Sequence, residues 1–420
     1  MDRPICPPKI AIIGAGIGGL ALAIGLTRRN VDYTIYEAGS QFSAVGAGIA
    51  LGPNSLRAMT LIDPRLMELY KGISRGNRSP EKAHIFADFM LAEPGFGVNS
   101  GWEGAPVGSK DFTKSGAHRK DLLDIMTRLF PTENVRFSKR AVEVRQTGQK
   151  VVIQFADGEA VDVDAVIGCD GAKGVTRHAV LTENYPDHVT ARYSGRYVYR
   201  VVIPPTEAQQ ALGAYADDGK MFLGPGHYFA LYKMSGGRLN LVAGRQKNDE
   251  WTHDQWTQDV TREEMLADFK GCDPRLIELL GSANPTRWGL FHHPSTPTYL
   301  KGHVVLLGDA AHASTPHQGS GAGQCLEDAL VLSHLLAMVT DTSHLEAAFD
   351  VYDAICRPRG QKIVRTSNEA GHLYTLTHPE CGEDITKVVA NANQRFKWIW
   401  THDLEADLKL AEQQFAALHG

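Results

Sequence analysis

Apolar side chains first gather at Ile10-Ala11-Ile12-Ile13, a β-branched run that stops at Gly14-Ala15-Gly16-Ile17-Gly18-Gly19. A run this short, closed by glycines, predicts a strand buried on both faces. Leu20 to Arg29 is apolar almost all round and closes on Arg28-Arg29-Asn30, cations that suit a helix C-terminus. Tyr33-Thr34-Ile35-Tyr36 predicts a second strand, which ends at Glu37. The order strand, glycine turn, helix, strand and acid predicts a βαβ unit. Gly14 permits the tight turn, Gly16 lets a pyrophosphate approach the backbone, and Gly19 lets helix and strand pack closely. Phosphates there would meet the positive end of the helix dipole. Glu37, 18 residues beyond Gly19, is placed to accept hydrogen bonds from an adenosine ribose.

Residues 41–130 read as irregular connections plus helices, one near Ser55 to Tyr70 and one opened by His118-Arg119-Lys120-Asp121 and ending near Phe130-Pro131. Arg119 opposes the dipole at a helix start, so it is either a solvated arginine or an anion contact. From Val135 the period shortens to two. Val142 to Arg145, Val151 to Phe155 and Ala160 to Val163, separated by Thr147-Gly148 and Asp157-Gly158, predict a β-meander. Another buried strand, Ala165 to Cys169, runs into Asp170-Gly171-Ala172-Lys173-Gly174-Val175-Thr176-Arg177.

Between residues 180 and 300 the strands lengthen and become aromatic, predicting an antiparallel sheet with a helix at Thr261 to Leu280. Period two puts Arg196 and Arg200 on one face of their strand. It also separates Tyr228, Ala230 and Tyr232 from His227 and Phe229. His303 to Leu307 is a third buried strand, followed by Gly308-Asp309-Ala310-Ala311-His312, a turn-rich stretch to Gly323, and an apolar helix. The fold class expected is α/β: a Rossmann-like domain interleaved with an antiparallel-sheet substrate domain and a helical C-terminal region. The expected divisions are 1–180, carrying the meander, 181–300 for the substrate domain, and 301–420 for completion of the first domain and the last helices.

Composition narrows the partners. Lys plus Arg total 43 against 48 Asp plus Glu, a formal net charge of −5 with the signs interspersed, which disfavours nucleic acid. Six cysteines without CxxC spacing read as reduced thiols, and the histidines at 292, 293, 303, 312 and 317 include no HExxH, so no metal site is expected. There is no run of about 18 apolar residues and no secretory signal, so the expectation is a cytoplasmic protein with no membrane partner.

Three strand-to-glycine corners, at residues 14, 170 and 308, suit one long ligand crossing several strand ends. GxGxxG with Glu37, the Asp170-Gly171 loop ending in Arg177, and Gly308-Asp309-Ala310-Ala311-His312 with Pro316, Gly319 and Glu327-Asp328 together resemble the single-component flavin-dependent aromatic monooxygenases, the para-hydroxybenzoate hydroxylase group. The resemblance spans about residues 9 to 370, and His292 to Leu336 is most similar to fungal salicylate hydroxylase-type enzymes.

The resemblance implies bound FAD, NADPH or NADH as a transient reductant, and O2 as cosubstrate. It implies hydroxylation of a phenolic aromatic acid through a flavin C4a-hydroperoxide, decarboxylative in the salicylate-to-catechol case. An alternative is the same flavin chemistry on a larger polyketide phenol, by dearomatising hydroxylation or epoxidation. A reading from the first βαβ unit alone is a nicotinamide dehydrogenase or a nucleotide-binding module. FAD contacts would fall on Gly14, Gly16, Gly19, Glu37, Gly48, Arg119, Asp170, Asp309, Pro316, Gly321 and Ala322, and substrate contacts on Arg200, Tyr232, Tyr228 and His227. Gly174 stands where the family usually carries serine. The partner expected is a small aromatic substrate, and the chain a monomer or homodimer. With an ordinary phenol pKa near 10, that substrate needs a base or cation beside its oxygen.

Overall fold

The computed structural model describes residues 7–42 and 48–419. Ile10–Ile13 is buried throughout because it lies inside a six-stranded sheet. It pairs in parallel with Tyr33–Tyr36 on one side and with Ala165–Gly168 on the other, and Val304–Leu306 pairs in parallel beyond the latter. Val135–Arg136 closes one edge in parallel and Leu300–Lys301 the other in antiparallel. The helix Ile17–Arg28 packs on Gly321–Leu336, which explains why both are apolar nearly all round. The meander forms as Ala141–Thr147, Lys150–Phe155 and Ala160–Val163.

The second layer is an eight-stranded sheet in the order Thr257–Asp259, Thr286–His292, Arg192–Ile203, Leu239–Gln246, His227–Lys233, Lys220–Gly224, Ile85–Leu91 and Ala105–Gly108. Its last two strands come from the region expected to be irregular. Ile85–Leu91 is apolar on both faces apart from Asp88, so it carries no period-two signal. That strand also pairs in parallel with Lys220–Gly224, against the antiparallel expectation for this sheet.

Two expected helices are each two helices. Pro53–Ile62 and Pro64–Ile73 meet at Asp63, whose carboxylate accepts from Arg65 N at 2.9 Å. Arg262–Ala267 and Pro274–Gly281 divide in the same way before Asp273, which accepts from Arg275 N at 3.0 Å. In both, an aspartate N-cap followed by proline restarts a helix in a new direction.

The long helix Leu345–Tyr374 joins the layers. At one end the Tyr352 hydroxyl donates to Leu306 O at 3.1 Å, and at the other Tyr374 packs edge-on against Tyr228 and Phe89. Among the described residues no helix is long and apolar enough to cross a membrane.

Candidate active site

The three glycine corners are the C-terminal ends of adjacent parallel strands. Cys169 N donates to Ile13 O at 2.8 Å and Leu307 N to Gly168 O at 2.9 Å, so the corners lie side by side. A groove of about 360 Å³ runs across them, lined by Gly16, Gly18, Arg119, Gly171, Gly308, Asp309 and neighbouring residues. Ligands of open α/β sheets bind at such strand ends. Gly14 sits at φ +100°, and a Cβ there would lie 2.5 Å from Cys169 O, while a Cβ at Gly19 would run into the Gly14 carbonyl. Gly16 has nothing within 4 Å of a built Cβ and opens onto solvent-sized space. Glu37, just past the strand Tyr33–Tyr36, is fixed by Ala15 N at 2.8 Å and Gly39 N at 2.7 Å, with acceptor capacity left for a ribose.

Asp309 is exposed into the groove at the first residue of the short helix Asp309–His312. Its neighbours hold that helix from beneath. The fully buried Asp328 accepts from Gly308 N at 3.2 Å and Gln324 Nε2 at 2.9 Å, and His312 Nε2 lies 2.5 Å from its carboxylate. Burial opposes charge on His312, but Asp328 outweighs it and raises the pKa. A raised folded-state pKa gives stability that is full below the ordinary histidine value and fades as pH rises through the folded one. The melting temperature is therefore expected to fall across that interval, and His312→Gln to flatten the slope in a pH series of thermal scans. The buried Arg177 guanidinium donates to Ala310 O at 2.9 Å, Ala311 O at 3.3 Å, Val189 O at 3.0 Å and Thr296 Oγ1 at 3.1 Å. It thereby ties the Asp309 helix to the start of the second layer.

Asp170 is placed differently from the expectation. Its carboxylate turns inward, accepting from Thr176 N at 3.0 Å and Thr176 Oγ1 at 2.5 Å, and burial pushes its pKa up. The side chain shapes the turn, and Cys169 and Gly171 line the groove instead. A Cβ at Gly174 would run into that carboxyl, which accounts for glycine at a position where the resemblance calls for serine.

The groove opens into a cavity of about 330 Å³; Gly48, Ile49, Arg200, Asp309 and Ala322 line both. One wall is the sheet face carrying Arg200, Tyr228, Ala230, Tyr232, Asn240 and Val242; another is the segment Pro316 to Ala322. Helix Gly321–Leu336 begins here without a side-chain cap, leaving its first N–H groups for a ligand. At Gly48 a Cβ would lie 2.8 Å from the Tyr232 hydroxyl, so this tyrosine stands at the seam between groove and cavity. Burial pushes Tyr232 up to about 12 and Tyr228 higher, so both hydroxyls keep their protons near neutral pH. Arg200 Nε is buried without a hydrogen-bond partner, and the guanidinium lies 5.6 Å over Trp288.

His227 lies elsewhere. Its Nε2 meets Cys272 Sγ at 3.1 Å, its Nδ1 meets Pro225 O at 3.0 Å, and its ring packs against Phe229 and Phe269 on the face away from the cavity. The same alternation that brings Tyr228 and Tyr232 inward turns His227 outward, so it is withdrawn as a substrate contact.

Three cavity residues escaped the sequence reading of the substrate site: Lys114, Lys220 and His317. Lys114 precedes a three-residue strand and carries no periodic signal, and Lys220 is one cation at the head of an apolar strand. His317 follows Pro316 in the turn-rich stretch. Both its ring nitrogens are buried without partners, and burial holds its pKa well below the ordinary value, so it is a neutral imidazole.

The sequence matches the FAD binding domain family over residues 8–367. The chain belongs to the FAD-dependent monooxygenases. It is 41% identical to an FAD-dependent monooxygenase of Gibberella moniliformis, over 97% of this chain and 96% of that one. It is 36% identical to 6-methylsalicylate 1-monooxygenase of Aspergillus terreus, over 97% and 92%. The solved salicylate hydroxylase substrate complex superposes with a TM-score of 0.85 at 30% identity, covering 96% of this chain and 98% of that one. The enzyme is thus an FAD-dependent monooxygenase of the salicylate hydroxylase type. Its groove fits the cofactor: backbone is open at Gly16, Glu37 is held by Ala15 N beside that turn, and the exposed Asp309 lines both groove and cavity.

Proposed function

We propose that this monooxygenase hydroxylates a small phenolic aromatic acid of the salicylate type, with NADPH or NADH as a visiting reductant and O2 as cosubstrate. The observation carrying the reading is the chemistry of the cavity wall. Arg200, Lys114 and Lys220 supply three cations, and the single carboxylate among the described lining residues is Asp309, on the groove side. About 330 Å³ lies near the low end of ligand pockets and suits one substituted ring better than a larger polyketide. The names of the relatives, 6-methylsalicylate 1-monooxygenase and salicylate hydroxylase, support an ortho-hydroxy acid.

Bound FAD, once reduced, supplies activated oxygen for transfer to the ring. The chain's own groups prepare the substrate. Arg200 beside the ring oxygen favours the phenolate over the phenol. His317, a neutral imidazole lining the cavity, can accept a hydrogen bond from the phenolic hydroxyl and orient it, while burial opposes its taking the proton outright. Ala87, Met221, Leu231 and Val242 make much of the wall apolar, which keeps water from the reacting atoms. In the decarboxylative form, a C–O bond replaces the C–C bond to the carboxyl group. Acid, O2 and NAD(P)H plus a proton then yield diphenol, CO2, water and NAD(P)+.

Salicylate is expected to give catechol and CO2 in step with nicotinamide oxidation; oxidation with peroxide and no hydroxylated product would overturn it as substrate. Arg200→Gln should lower kcat/KM by about 10- to 100-fold, the worth of a hydrogen bond to a charged group of roughly 1.5–3 kcal/mol. Steady-state rates with product quantified check this.

A further inference from the structure

The three cations of the cavity are not equivalent. Lys220 is buried and already paired: its Nζ is 2.8 Å from Asp88 Oδ2, which also receives Lys82 at 2.6 Å. Arg200 lines both the FAD groove and the cavity, so it faces the seam where the two meet. Lys114 lines the cavity and not that groove, and no carboxylate among the described residues pairs with it.

What surrounds Lys114 is unusual for an ammonium. One N–H donates to Phe86 O at 2.6 Å, and the nitrogen sits 4.6 Å over the Phe86 ring and 5.7 Å over that of Tyr232. Gly219 leaves it room: a Cβ there would lie 3.1 Å from Nζ. Two N–H donors remain after the carbonyl is served. The charged and titratable groups facing the same cavity are Lys220, Arg200 and Tyr232, and nearby are the Asp88 and Asp218 carboxylates, engaged by Lys82 and Lys220. Burial, and then the Lys220 charge, push the Lys114 pKa down to about 8. A cation held in an aromatic wall beside another cation is costly until an anion joins it.

We infer that Lys114, which lines the cavity but not the FAD groove, receives the substrate's carboxylate, leaving Arg200 for the ring oxygen at the seam, so that the cavity selects aromatic acid anions over neutral phenols. The assignment rests on the proposed reading of the reaction. It makes Lys114 a specificity residue whose charge the empty pocket tolerates poorly.

The test uses FAD-loaded wild type, Lys114→Met and Lys114→Arg, titrated at pH 6.5 with salicylate and with the neutral salicylamide, dissociation constants being read from the flavin absorbance change. Lys114→Met is expected to weaken salicylate by roughly 10- to 100-fold while salicylamide moves less than about threefold, and Lys114→Arg to recover most of the loss. Wild-type affinity for salicylate should decline as pH rises through about 8, where the free amine loses its proton, and that decline should vanish in Lys114→Met. The melting temperature of the ligand-free Lys114→Met protein should equal or exceed wild type, since a costly charge is gone.

Equal losses for the acid and the amide would mean a packing role and overturn the assignment, as would an unchanged salicylate constant. Wild type that fails to prefer the acid over the amide overturns it also. A loss in Lys114→Met confined to the acid, with no hydroxylated product from wild type, overturns the reading of the reaction and leaves Lys114 as the carboxylate site.

Discussion

Asp309→Ala is expected to yield a folded protein that has lost its FAD. The carboxylate is exposed into the groove and carries no part of the fold, because Asp328, His312 and Arg177 hold the helix that presents it. Its removal therefore subtracts ligand contacts and little else. One or two charge-assisted hydrogen bonds to cofactor hydroxyls, at roughly 1.5–3 kcal/mol each, correspond to a rise in the FAD dissociation constant of at least about tenfold and up to on the order of 10,000-fold. Calorimetric titration of the apoprotein gives the constant, and flavin per chain after gel filtration gives occupancy. The apoprotein's melting temperature should match that of wild-type apoprotein. Unchanged occupancy would remove Asp309 from the cofactor contacts.

Arg177→Met has the opposite profile. The guanidinium is 1% exposed and serves carbonyls of Ala310, Ala311, His188 and Val189 together with the Thr296 hydroxyl. Methionine fills much of the volume but removes the donor from the carbonyls of Ala310 and Val189, while Ala311 O keeps Thr296 Oγ1 at 2.7 Å, at a cost of about 2–5 kcal/mol. Urea unfolding should show a lower midpoint with or without FAD. If the midpoint moved only in the presence of FAD, Arg177 would be a cofactor residue and its structural assignment would fail. Asp309 and Arg177 thus divide one corner between them, one facing the ligand and one facing the fold.

The first βαβ turn was legible because its requirements are local. Gly14 must turn at positive φ, Gly19 must admit its neighbour's carbonyl, and Glu37 must end the next strand; each demand selects a residue type at a set spacing. Strand alternation likewise separated Tyr228 and Tyr232 from His227, although it could not say which face was the cavity's. Ile85–Leu91 stayed hidden because a strand buried on both faces has no alternation to read, and the break at Asp63-Pro64 hid inside an otherwise helical pattern.

By itself, then, the chain's order of residues determined the dinucleotide-type corner, the three glycine turns and the alternation of the aromatic strands, since all depend on neighbours within a few positions. Tertiary structure alone decided that residues 14, 170 and 308 end adjacent strands. It also turned Asp170 into its own loop and brought Lys114, Lys220 and His317 to one cavity with Arg200. Asp170 is turned by Thr176, six positions on, but the other outcomes join residues far apart in the chain, where burial and charge are set by whatever the fold brings alongside, and no local pattern records that company.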